Sequence, residues 1–133
     1  MNKTSTNAAP IAGTAPLICV VDDDRAVCDS LRLLLRRNGF EVETFSSPHD
    51  LLTSRRLDRF DCLIVDQKLP VMTGLELMEI LRTRAYLKPA VLMWSAPEPH
   101  LSQRIQRAGI LQILQKPVET SALLAALGSA LRT

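Results

Sequence analysis

The chain has 133 residues, 47% of them hydrophobic, which suits one ordinary domain with a real core. Its 16 Lys and Arg nearly balance 14 Asp and Glu for a net charge of +2, and aromatics make up 4%. That excludes a strongly basic nucleic-acid surface and a base-stacking single-strand binder. No apolar run approaches the roughly 18 residues of a membrane span, and the N-terminus lacks the apolar core of a secretory signal, so the expected location is the cytoplasm. Cys19, Cys28 and Cys62 form an odd set without a CxxC pair. Cys19 and Cys62 lie inside apolar runs and read as small buried hydrophobes rather than disulfide partners.

Residues 1–16, rich in Asn, Thr, Ala and Pro, offer no apolar face and read as a flexible tail before a domain over 17–133. Residues 17–21, LICVV, form a continuous apolar run, the mark of a strand buried on both faces. Val27, Leu31, Leu34 and Leu35 then recur at helical spacing, and Asn38-Gly39 supplies the stop. Residues 40–45 alternate like a half-covered strand. Ser47-Pro48 starts a second helix carrying Leu51, Leu52 and Leu57, with Arg55, Arg56 and Arg59 on its wet face. Residues 61–65 make another buried strand ending on Asp66, and a helix with Leu75, Met78 and Leu81 follows the loop 67–74. In that loop Met72 and Gly74 read as shaping residues, the glycine for its backbone freedom.

Residues 90–94 are the next apolar strand, closing on Ser95. A helix over 99–108, a strand over 110–114, Lys116-Pro117 and an Ala/Leu-rich helix over 120–131 complete the chain. Five strand–helix pairs imply a parallel sheet covered on both faces. The expected fold is α/β, a doubly wound five-stranded parallel sheet of order 2-1-3-4-5 in a three-layer αβα arrangement.

In such a sheet ligands sit beyond the carboxyl ends of the strands, where the order reverses between the first and third. Those ends carry Asp22-Asp23-Asp24 and Asp66, with Ser95 after the fourth strand and Lys116 after the fifth. Two like charges about 4 Å apart repel by roughly 4 kcal/mol at an effective dielectric near 20, so bare carboxylates do not gather without reason. A hard divalent cation removes the repulsion, and carboxylates, a backbone carbonyl and waters suit Mg²⁺. A carboxylate beside Mg²⁺, a Lys and a Ser is equipped to receive a phosphoryl group, with the acid as nucleophile. Asp24 reads as the cap of the first helix. His49 and His100 lack metal-spaced companions and read as surface residues.

VVDDD at 20–24, LIVDQKLPVMTGLEL at 63–77, VLMWSA at 91–96 and LQKPV at 114–118 stand in an order and on elements that resemble the receiver domain of two-component response regulators, the CheY-like, flavodoxin-like fold. The pattern is most similar to receivers of the NarL/FixJ group. The resemblance covers residues 17–131. It implies Asp66 as the phosphoacceptor, attacking the phosphorus of a phosphohistidine on a sensor histidine kinase or phosphotransfer protein. It implies Asp23 as a direct and Asp22 as a water-mediated metal ligand, with Asp66 and the Lys68 carbonyl completing the Mg²⁺ set. Ser95 would hydrogen-bond the phosphoryl oxygens, Lys116 would ion-pair with them, and the Lys116–Pro117 bond would be cis. On this reading the domain is a phosphoacceptor switch rather than an enzyme acting on other substrates, with no direct nucleic-acid or membrane binding.

Two positions depart from the pattern. Ile113 occupies the place of the usual Tyr or Phe, three residues before the Lys, so the usual aromatic coupling to the face formed by the fourth helix, fifth strand and fifth helix is in doubt. A homodimer through that face stays open. Lys68, two residues after the acceptor, suggests a long-lived phosphoaspartate, which rapid decay of the phosphoprotein in Mg²⁺ would contradict. Trp94, the single tryptophan, adjoins Ser95 and should report on the pocket by fluorescence. A degenerate receiver acting as a phosphorylation-independent docking module would lack an acid or the Lys, and both are present; Ile113 keeps that alternative open. An Asp-nucleophile, Mg²⁺-dependent phosphohydrolase would carry a second acid where Lys68 stands.

Overall fold

The computed structural model describes residues 14–132. Strands β1 (Leu17–Val21), β2 (Glu41–Phe45), β3 (Cys62–Asp66), β4 (Ala90–Trp94) and β5 (Ile110–Gln115) alternate with helices α1 (Arg25–Arg37), α2 (Pro48–Leu52), α3 (Gly74–Thr83), α4 (Ser102–Arg107) and α5 (Thr120–Leu131). All pairings are parallel and the strand order is β2-β1-β3-β4-β5. The expected topology is therefore the observed one. Most of the flexible-tail expectation concerns residues 1–13, which lie outside the described residues. Of the remainder, Pro16 already joins the sheet, its carbonyl accepting from the Glu41 amide at 2.9 Å.

Successive strand side chains point to opposite faces, which builds two cores. On one side Cys19, Val21, Leu63, Val65 and Leu92 pack with Leu51, Leu75, Met78, Leu81 and Ile105 of α2, α3 and α4. On the other, Ile18, Val20, Ile64, Val91 and Met93 pack with Cys28, Leu31 and Leu35 of α1 and Leu123 and Leu127 of α5. Each such fully buried aliphatic side chain contributes about 1.5–3 kcal/mol. All three cysteines are buried and free, as apolar packing residues rather than disulfide halves. Cys28 belongs to the buried stripe of α1, whereas Val27 and Leu34 are only half-buried.

Several element ends differ from the sequence expectation. The second helix stops at Leu52 because Thr53 turns its hydroxyl onto the His49 carbonyl at 2.9 Å and Ser54 Oγ accepts from the Arg56 amide at 3.0 Å. Leu57 consequently lies in a separate 3-10 turn, Leu57–Arg59. Arg55, Arg56 and Arg59 thus share no helix face, and Arg56 instead lies 2.9 Å from Glu43 Oε1 across to β2. That contact is ionic rather than a well-aligned hydrogen bond, since the carboxylate oxygen has no hydrogen-bond partner. The helix expected over 99–108 opens as a 3-10 turn at Pro99–Leu101, where proline supplies no amide, and is α-helical over Ser102–Arg107. Asp61 precedes β3 and spends its carboxylate on the Leu17 amide at 2.8 Å, tying that strand to β1.

Candidate functional site

The three consecutive acids after β1 do three different things. The Asp22 amide still follows the sheet, donating to the Phe45 carbonyl at 3.1 Å, so its side chain is held at the rim with 1% exposure. Asp22 Oδ1 accepts from the Asp24 amide at 2.9 Å, while Oδ2 is buried without a hydrogen-bond partner. Asp23 is exposed and points its carboxylate toward the same spot. Asp24 caps α1, its Oδ1 accepting from the Ala26 and Val27 amides at 2.9 and 3.3 Å. The capping expectation for Asp24 holds.

Asp66 ends β3 with 4% exposure. Its Oδ1 lies 2.8 Å from Lys116 Nζ, which reaches it from the end of β5. The Lys68 amide donates to the same oxygen at 3.4 Å, and the Lys68 side chain is exposed. The Lys116–Pro117 bond is cis. Ser95 follows β4 and is exposed; its carbonyl accepts from Gln115 Nε2 at 3.4 Å, and its hydroxyl makes no hydrogen bond with Asp66 or Lys116. The structure thus brings Asp22, Asp23, Asp66 and Lys116 together, with the Lys68 amide on Asp66 and Ser95 following the last residue of β4.

Carboxylate oxygens of Asp22, Asp23 and Asp66 lie within 4.8 Å of one another. Burial pushes the Asp22 carboxyl from 3.8 up to about 6; the Asp24 amide and Lys116 pull it down, and Asp66 and Asp23 push it up further. An oxygen-only donor set with one buried, unpartnered carboxylate oxygen is what a hard divalent cation takes, so the residues fit such an ion.

Two features of the loop after Asp66 escaped the sequence. Gly74 has an ordinary backbone but no room: a Cβ there would lie 2.5 Å from the Asp66 carbonyl oxygen, 2.8 Å from Leu92 Cδ1 and 2.9 Å from Val65 Cγ1. The role expected for it, backbone freedom, is therefore corrected to close approach, which seats α3 against the acceptor strand. The left-handed turn falls instead on Val71, at φ 75°, fully exposed. Gln67, a buried polar residue with 7% exposure, is the other. A glutamine after an apolar strand carries no sequence signal; only its place in the fold shows where its amide goes.

A family model described as the response regulator receiver domain matches residues 18–128. The chain is 30% identical over 119 residues to the transcriptional regulatory protein TdiR of Thauera aromatica, covering 90% of this chain and 52% of that one. It is 31% identical over 115 residues to the transcriptional regulatory protein FixJ of Bradyrhizobium diazoefficiens, covering 86% and 56%. It therefore spans about half the length of these curated relatives. Among solved structures, the response regulator StyR superposes with a TM-score of 0.82 at 39% identity, covering 90% of this chain and 60% of that one. The Vibrio cholerae chemotaxis protein CheY4 superposes with a TM-score of 0.79 at 28% identity, covering 88% and 99%. No helix among the described residues is long and apolar enough to cross a membrane.

Proposed function

The chain belongs to the response regulator receiver domain family of two-component signalling, and from that premise we propose that Asp66 is the phosphoacceptor of a switch fed by a histidine kinase or phosphotransfer protein. The observation that carries this reading is the meeting of Lys116 Nζ with Asp66 Oδ1 at 2.8 Å inside a cluster of three carboxylates whose Asp22 Oδ2 has no hydrogen-bond partner. In the transfer step an Asp66 carboxylate oxygen attacks the phosphorus of a phosphohistidine. The O–P bond forms as the N–P bond breaks, and the leaving imidazole nitrogen keeps the electron pair. Water later attacks phosphorus, releasing inorganic phosphate and restoring the carboxylate.

Lys116 stands where it offsets negative charge on the transferring oxygens, and the Ser95 hydroxyl is a donor for one of them. Asp22, Asp23, Asp66 and the Lys68 carbonyl are the residues that would hold Mg²⁺. When bound, this ion supplies charge neutralisation for the carboxylates and the phosphoryl group. Lys68 itself adds a cation at the rim and prolongs the acyl phosphate.

The output is a change in partner binding, in the cytoplasm. Ile113 is half-buried against the same core as Trp94 and Leu101, so the readout on the α4–β5–α5 side is aliphatic, and that side is the candidate face for a homodimer. Incubation with acetyl phosphate and Mg²⁺ tests the reading by intact-protein mass. The wild type is expected to gain one hydroxylamine-labile phosphoryl group and Asp66→Asn none. Equal labelling of both proteins would sink it.

A further inference from the structure

We infer that Gln67 is a positioning residue for the metal end of this site, a role that rests on the proposed function. Three amides at the start of α3 have no partner within the helix and must find one outside. Two of them converge on Gln67: its backbone carbonyl accepts from the Gly74 amide at 3.0 Å and its side-chain Oε1 from the Leu75 amide at 2.9 Å. The third, the Glu76 amide, goes to Thr73 Oγ1 at 3.1 Å in a capping box. Gln67's own amide is spent on the Met93 carbonyl at 2.9 Å, so the residue is pinned to β4 as well.

The result is a clasp. One residue, next in sequence to the acceptor, closes the loop 67–74 on itself and fastens α3 to the end of β3. Lys68, whose carbonyl is the proposed backbone ligand and whose amide touches Asp66 Oδ1, is the first residue inside that clasp. Gly74 forms its other jaw, lying too close to the Asp66 carbonyl to admit a Cβ. A ligand carbonyl on a loop is only as well placed as the bonds that fix the loop. Partners that orient metal ligands are typically worth 10- to 100-fold in affinity. Gln67 does not touch the reacting atoms; it sets the path of the chain that does.

The test compares Gln67→Met, which keeps the length and removes the acceptor, with Thr73→Ala, which removes a bond of the same kind from the same helix end. Mg²⁺ affinity is read by isothermal titration calorimetry, with far-UV circular dichroism to confirm the fold. Gln67→Met is expected to weaken Mg²⁺ binding about tenfold and Thr73→Ala by less than about twofold. If Gln67→Met does not fold, Gln67→Asn, whose amide is withdrawn by one methylene, takes its place in the same comparison. Wild-type affinity in the Gln67 variant, or an equal loss in Thr73→Ala, would overturn the positioning role while leaving the proposed function intact. A wild-type protein that binds no Mg²⁺ would remove both.

Discussion

Asp22 has a carboxyl held above its ordinary range chiefly by burial, with one buried oxygen that no donor reaches. The sign of its effect on stability follows from linkage. Without metal, folded Asp22 keeps its proton up to about pH 6, whereas the unfolded chain releases it near 3.8. Between those values the fold holds more protons than the unfolded chain, so stability is present below the window and falls as pH rises through it. A shift of this size amounts to up to about 3 kcal/mol. Asp22→Asn keeps an oxygen for the Asp24 amide and removes the charge. In chelator, urea unfolding of this variant is expected to match the wild type near pH 4 and exceed it at pH 7, with Mg²⁺ affinity lost. A wild type whose metal-free stability rises across that window would contradict the burial argument.

At the scale of elements, the loop from β3 to α3 concentrates the stored constraint. Gly74→Ala would press a methyl group against the Asp66 carbonyl, a backbone atom that cannot swing aside. Its expected effect is a loss of about 2–3 kcal/mol in urea unfolding. Three residues earlier the sign reverses. A β-branched side chain at φ 75° is strained by about 1–2 kcal/mol, and Val71 is fully exposed, so it gives up no packing. Val71→Gly is expected to stabilise by about 0.5–1 kcal/mol after the entropy of glycine is counted. The chain does not announce this exchange of roles, because a glycine in a loop suggests φ freedom and steric closeness is visible only once α3 has docked. The elements that were legible are those with a strong period or a continuous apolar run: β1, β3, β4, α1, α3 and α5. The second helix is shorter than its apolar spacing suggests because Thr53 and Ser54 divert backbone bonds locally, which that spacing does not encode.

Taken whole, the molecule separates support from chemistry. The end of α3 is stapled away from the rim, where Arg82 donates to the Ala108 carbonyl at 2.9 Å and to the Lys88 carbonyl at 3.2 Å, and Arg104 of α4 pairs with Glu79 midway along α3 at 2.9 and 2.7 Å. The acids, Lys116 and Ser95 occupy the opposite, carboxyl edge of the sheet, as strand order alone predicted. What strand order could not supply was the contact itself: Lys116 on Asp66 and Gln67 clasping the loop. Trp94 ends β4 next to Ser95, half-buried against the same core as Ile113 and Leu101, and its fluorescence is expected to change on titration with Mg²⁺ or beryllofluoride. A flat titration would count against the pocket. The chain has 14 acidic residues, and Asp66 alone among them is the proposed acceptor. Borohydride reduces an acyl phosphate of aspartate to homoserine, so treatment of the phosphorylated protein followed by peptide sequencing reads the selection directly. Homoserine at position 66 and nowhere else is the expected result; homoserine at 22, 23 or 24, or at no position, would contradict it.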